Sequence, residues 1–395
     1  MTAVGNTPAA LSSPTNDGVG SVLRADGEAV RTGRPRMIGV DAARLVAALG
    51  ATWLHTADSV ELKWTSEFGR FATCFFASMA AVLLVMSLRR RPEQAYGPYI
   101  LRRFSKLYLA FLVWNVIYLM ARLGKHWMAE RLGHSAPPGP EGAHFEILWG
   151  HVALSGFAHQ LWFLPFLVIC SIAAFPLVRA VARSDRARLG TAAGLGVFSV
   201  VMLAIPEWRI VEWFPQFHAW LKAEGLDYFF NRFWFRLPAF TAGLSVALAT
   251  GDVWLAALQR PAAGRRRHVF AAVCLLATLS ASCLSALYLS DPTSWLYDYR
   301  RVNNTIAGLL LVGFALGSWG GVRFLERLSP LARYAFGIYL THVLFGEAMD
   351  TIWVLLKQQP TWWWDLITYA VALSAGLMAT WLLTRSRFTA WLIPD

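Results

Sequence analysis

Charge is scarce in this chain. Only 15% of its 395 residues are Asp, Glu, Lys or Arg, against about 25% in an ordinary soluble domain. Acidic residues are the scarcer kind, 24 against 36 basic, which leaves a net charge of +12. Cysteine is scarce too. Cys74, Cys170, Cys274 and Cys283 all lie in apolar stretches, none forms a CxxC pair, and Cys274 and Cys283 fall on opposite faces of one helix. A disulfide-stapled scaffold is a poor fit, neither a dithiol redox motif nor a thiolate metal site is indicated, and the four read as small apolar fillers. The sequence contains no GxSxG, no Walker A loop, no HExxH and no GxGxxG between a strand and a helix. No internal repeat is visible. Histidines 126, 134, 144, 151 and 159 lack ligand spacing and a Cys or carboxylate partner, so no metal site is expected.

What is present is grease: 56% hydrophobic residues, with 19 Trp and 25 Phe. In hydrocarbon a backbone must satisfy its own polar groups, so spans are helices of about 20 apolar residues. Ten candidates appear, at 37–57, 71–88, 107–121, 161–178, 189–205, 228–250, 269–289, 302–319, 334–347 and 362–383. Runs such as CFFASMAAVLLVMSL do not alternate, which argues against a membrane β-barrel. The expected fold is all-α, a polytopic membrane helix bundle of about ten transmembrane helices. Basic residues alternate between its connections, 23 on the side that holds both ends of the chain against 10 on the other. The positive-inside rule then makes both termini cytoplasmic, in the inner or plasma membrane. Residues 1–36, rich in Gly, Ser, Thr, Ala and Pro without a signal-peptide apolar core, read as a disordered cytoplasmic tail before a membrane domain at 37–395. The clusters at 89–91 and 265–267 read as topology signals and contacts to anionic membrane lipids, with no nucleic-acid role.

Charges at membrane depth normally face a polar cavity and mark a site. The first span holds Asp41, Arg44 and His55. Arg44 and His55 are three helical turns apart, on one stripe and roughly 16 Å apart along the axis. Asp41 is placed to pair with Arg44 near the cytoplasm, and His55 is near the outer end. Arg102, Arg103 and Lys106 open the third span on the inner side, a fork-and-point-charge set suited to phosphates. Arg232 and Arg236 share one face of the sixth span in its outer half. Trp162 begins the fourth, and His342 and Glu347 lie in the outer half of the ninth. Each has a plainer reading as well: an ion pair at the membrane edge, a snorkelling arginine, an aromatic-belt tryptophan. Together they make a basic inner cluster and an outer cluster containing a general-base candidate. That arrangement suits a long phosphorylated cytosolic donor whose reactive end crosses the membrane. An anionic-solute or lipid-linked-sugar transporter, its route lined by the same arginines, is the competing reading, although no inverted repeat supports it.

Five motifs in order resemble the acyltransferase-3 family of integral-membrane acyltransferases. Asp41-Ala-Ala-Arg44 followed by His55 is similar to its D-x-x-R-x10-H signature. Arg102-Arg103-Phe-Ser-Lys106-Leu-Tyr108 resembles RRxxRIYP. His159-Gln-Leu-Trp162-Phe-Leu-Pro165 resembles H-LWFLP, Arg236-Leu-Pro-Ala-Phe240-Thr-Ala-Gly243 resembles R-x3-F-x2-G, and Phe336-Gly-Ile-Tyr339-Leu-Thr-His342 resembles FGIYLxH. Lys106 replaces an arginine, Leu109 stands where a kinking proline is common, and Gln160 is inserted. The resemblance implies transfer of an acyl group, commonly acetyl, from cytosolic acyl-CoA to a hydroxyl of a carbohydrate at the outer face. No bound cofactor is implied, acyl-CoA being a co-substrate, and proteins of envelope-glycan biosynthesis are candidate partners. It also implies that Arg44, Arg102, Arg103 and Lys106 hold or steer the donor. His55 then takes the hydroxyl proton or briefly carries the acyl group, Arg232 or Arg236 stabilises the oxyanion or binds the acceptor, and Glu347 orients an imidazole. Direct and relayed transfer both remain open.

Overall fold

The computed structural model describes residues 37–59, 61–131, 149–205, 212–259, 265–289, 300–317, 322–356, 361–386 and 389–393. The expected tail at 1–36 lies outside the described residues, as do His134 and His144. Thirteen α-helices and no strand occur among the described residues. They are α1 (Ile38–Leu54), α2 (Phe71–Arg90), α3 (Tyr96–Arg103), α4 (Leu109–Arg131), α5 (Phe163–Val181), α6 (Asp185–Ala204) and α7 (Pro215–Ala223). Then follow α8 (Asp227–Gln259), α9 (Arg265–Tyr288), α10 (Arg300–Leu316), α11 (Arg323–Ala332), α12 (Ala335–Leu355) and α13 (Trp362–Arg385).

The chain is an all-α polytopic bundle. Every one of the ten expected spans falls on a helix, and seven segments are long and apolar enough to cross a membrane, those ending in α2, α4, α5, α6, α8, α9 and α13. Helices α1 and α10 have 17 residues each, just short of the usual span. Helix α12 carries His342, Glu347 and Asp350 in its length, so polar chemistry dilutes its apolar run.

Helix α2 forms the middle. It packs against α1, α5, α8 and α10, and its apolar stretch is 78% buried, against 17% for α6. Glycine makes the close approaches possible. A Cβ on Gly243 of α8 would stand 2.6 Å from Ser78 Cα, and one on Gly308 of α10 would stand 2.7 Å from the Phe75 nitrogen. Small residues at these crossings bring backbones together where lipid offers no hydrophobic drive. Helices α6 and α9 turn Val197, Val200, Val201, Val273, Leu276 and Leu287 outward, as helices facing acyl chains do.

Two prolines inside helices release carbonyls that side chains then take. Pro176 cannot donate to the carbonyl four residues back, and the Ile172 carbonyl accepts from Tyr96 Oη at 3.3 Å. Pro238 likewise frees the Trp234 carbonyl, which accepts from Arg301 Nη2 at 3.5 Å. Arg301 Nη1 also donates to the Ile205 carbonyl, 2.9 Å away, and its guanidinium lies over the Phe235 ring. Arg301, counted from sequence among the charges of an outer connection, is thus a buried tie between α10, α8 and the end of α6.

Between α3 and α4 the chain makes a π-type turn at Phe104–Tyr108. The irregularity persists although Leu109 replaces the expected proline. A second such turn, His151–Ser155, ends at Gly156 with φ +80°, a left-handed conformation that glycine alone adopts without strain.

Candidate active site

Helix α1 ends at Leu54, so His55 leaves the helix and occupies the turn after it, not a helical position within the expected span 37–57. The turn is held from outside. Asp365, buried in the first turn of α13, accepts hydrogen bonds from the Ser59 backbone nitrogen at 3.1 Å and from Ser59 Oγ. Its other oxygen stands 3.3 Å from the same nitrogen.

Two further histidines meet His55. His159 Nε2 lies 2.8 Å from His55 Nδ1, with ring centroids 4.1 Å apart. His342 stacks on His55 at 5.4 Å and 29° between ring planes. His342 Nδ1–H donates to the Ile338 carbonyl at 2.9 Å. This leaves the lone pair on Nε2, which is buried and has no hydrogen-bond partner. Burial first, then the neighbouring His342, Arg232 and Arg122, push the His159 imidazole down to about 3. His159 is therefore neutral at physiological pH. Among the described residues no group of three or more His, Cys, Asp and Glu side chains is arranged to hold a metal ion.

His159 reaches this place because residues 149–162 are pinned on three sides. Asn115 of α4 accepts from the Phe157 nitrogen at 2.6 Å and donates to the His151 carbonyl at 3.0 Å. Tyr228 of α8 donates to the His159 carbonyl at 3.0 Å, and Tyr339 of α12 donates to the Gln160 carbonyl at 3.0 Å. Gln160 Nε2 donates to Tyr118 Oη at 2.7 Å. The inserted glutamine is thus a buried structural link, while its Oε1 has no hydrogen-bond partner.

The arginines of α8 face the same region. Arg232 is half-buried, stands over the Tyr228 ring and lies within electrostatic reach of His55, as does Arg70. Arg236 is buried over Phe235, and its Nε and Nη1 have no hydrogen-bond partner. Donors at that depth call for an acceptor, because burying an ionised group without one is costly. Trp162 is buried at the start of α5, edge-on to Phe166 at 5.7 Å, and does not stand in an exposed aromatic belt.

The remaining predicted residues sort differently. Asp41 accepts from Ser329 Oγ of α11 at 2.7 Å, a tie from α1 to a neighbouring helix. Arg44, one turn on, is half-buried. Arg103 Nε donates to Tyr99 Oη at 3.2 Å, while Arg102 and Lys106, the latter within the π-type turn, are exposed. Glu347 is half-buried within electrostatic reach of Tyr118. His55 meets His159 at 2.8 Å, and His342 donates to the Ile338 carbonyl. His159 is the residue that sequence reasoning set among unassigned loop histidines. Its position in the H-LWFLP element was the signal.

Taken together, one partly exposed imidazole, a buried lone pair beside it and unsatisfied guanidinium donors can accept a proton and hold developing negative charge. A comparison with curated proteins finds no match, and a comparison with solved structures finds none. The family model of the acyltransferase-3 acyltransferase domain, in contrast, matches residues 37–384, nearly all of the chain from α1 to the end of α13. This chain belongs to the acyltransferase-3 family of membrane acyltransferases.

Proposed function

We propose that the protein transfers an acyl group, acetyl by preference, from cytosolic acyl-CoA to a hydroxyl of a carbohydrate on the outer side of the inner or plasma membrane. The observation that carries this reading is the meeting of His55, His159 and His342 within electrostatic reach of Arg232, with the buried Arg236 one turn further along α8. A general base must reach the proton it removes, and His55 keeps part of its surface open in the turn after α1. In the proposed step, His55 takes the proton of the acceptor hydroxyl while the hydroxyl oxygen attacks the thioester carbonyl. The carbonyl oxygen gains negative charge, and Arg236 or Arg232 stabilises it. The C–S bond then breaks, an ester forms, and the CoA thiolate takes up the proton.

Three basic residues, Arg102, Arg103 and Lys106, together with Arg44, supply contacts for the donor's phosphates from the cytoplasmic side. This assignment rests on the basic residues of the connections that the positive-inside rule would place in the cytoplasm. Proteins of envelope-glycan biosynthesis are the proposed partners, since they would deliver the acceptor.

The test is transfer of radiolabel from acetyl-CoA to glycan by membranes containing the protein. His55→Ala at equal expression is expected to lower transfer by at least about 100-fold, the usual worth of a positioned base. An unchanged rate in that variant rules out His55 as the base.

A further inference from the structure

We propose that His159 is a positioning residue that fixes the tautomer of His55, accepting its Nδ1–H so that Nε2 is left bare for the substrate proton. The inference deepens the acyl-transfer reading and rests on it for the role of Nε2.

The geometry allows few arrangements. Two imidazole nitrogens 2.8 Å apart share one proton, because two lone pairs or two N–H groups would repel at that distance. His159 is neutral, so it presents either a lone pair or a single N–H at Nε2. If His159 donated, His55 would carry its own hydrogen on Nε2 and could not accept a proton there. A His55 that works as a base at Nε2 therefore requires His159 to accept, with the His159 hydrogen on Nδ1. The second nitrogen of a catalytic histidine is commonly oriented by a neighbouring group in this way. Here that group is uncharged, so it sets orientation and tautomer without the ion-pair stabilisation a carboxylate would add.

The surroundings make His159 a rigid acceptor. Its own carbonyl takes the Tyr228 hydroxyl, the next carbonyl takes the Tyr339 hydroxyl, and Gln160 is bonded to Tyr118. Gly156 lets the chain turn into this platform, and a Cβ there would stand 2.6 Å from Leu161 Cβ. Three helices thus hold one ring nitrogen against His55.

The full-length protein, labelled with 15N-histidine and held in lipid nanodiscs, tests this directly, with the His55 signal assigned by its loss in His55→Gln. The wild type is expected to show His55 protonated on Nδ1 and bare on Nε2. His159→Leu removes the acceptor and should shift His55 toward the Nε2–H form. His159→Gln places an oxygen near the lost nitrogen and should restore the Nδ1–H form. In acetyl transfer, His159→Leu is expected to lower kcat about 100-fold with the KM for acetyl-CoA within about threefold, and His159→Gln to recover all but about tenfold. A wild-type His55 hydrogen on Nε2, or a tautomer unmoved by His159→Leu, overturns the proposal. Because the spectrum is read without turnover, absence of acetyl transfer in the wild type would refute the functional reading while leaving the tautomer result standing.

Discussion

Replacing Asp365 with alanine isolates what holds the His55 turn. The carboxylate is buried at the start of α13, and two donors of Ser59 converge on it, the backbone nitrogen and the hydroxyl. Hydrogen bonds to a charged acceptor contribute about 1.5–3 kcal/mol each. Losing both, with the Ser59 nitrogen left unsatisfied in a buried place, should cost about 3–5 kcal/mol. Asp365→Asn keeps one carbonyl oxygen for one of the two donors and removes the charge, so its cost should fall near half of that. Equilibrium unfolding of the full chain in mixed micelles measures both variants against wild type. Acetyl transfer should fall further than stability requires, because the loosened turn no longer places His55 against His159. If both variants unfold within about 0.5 kcal/mol of wild type, the Ser59 contact does not hold the turn and the reasoning fails.

Other consequences follow from the same structure. His159 has its pKa lowered to about 3 from an ordinary 6.5, so the unfolded chain gains a proton below pH 6.5 while the folded one does not. Its contribution to stability is full above pH 6.5 and declines as pH falls toward 3. His159→Gln should flatten this loss by about 1–2 kcal/mol between pH 6.5 and 5, a figure trimmed for its partial exposure, and unfolding curves at both pH values check it. Gly308→Ala would set a Cβ 2.7 Å from backbone of α2, where neither partner can yield cheaply, and should destabilise by about 1–3 kcal/mol in the same assay. Arg102→Ala should raise the KM for acetyl-CoA about tenfold, the worth of one charged contact to phosphate, with kcat little changed in steady-state kinetics.

Much of the bundle is legible in hydropathy, because a segment that spans lipid must carry its apolar residues contiguously. All ten spans read this way fall on helices. The helix ends were harder to read. A hydropathy window averages over Leu54 and His55 and does not mark the helix end between them, whereas Asp365 captures the chain at Ser59 from a position 306 residues away. Arg301 resembles a topology charge until Pro238 is seen to free a carbonyl beside it. The hydrogen bond to Asp41 Oδ2 from Ser329 of α11 comes from 288 positions away, with no local signal.

The candidate site divides along the same line. Scarce charge, contiguous apolar runs and three ionisable residues in the first span are local properties, and they suffice for an all-α membrane protein with His55 near the C-terminal end of its first span. Which groups surround that histidine is not local. His159 and His342 lie 104 and 287 positions along the chain from it, on a pinned connection and on α12. Nothing within a helical turn of either announces the other. Their meeting depends on how α4, α8 and α12 pack around residues 149–162. That packing converts a lone histidine into a cluster of three imidazoles with cationic neighbours.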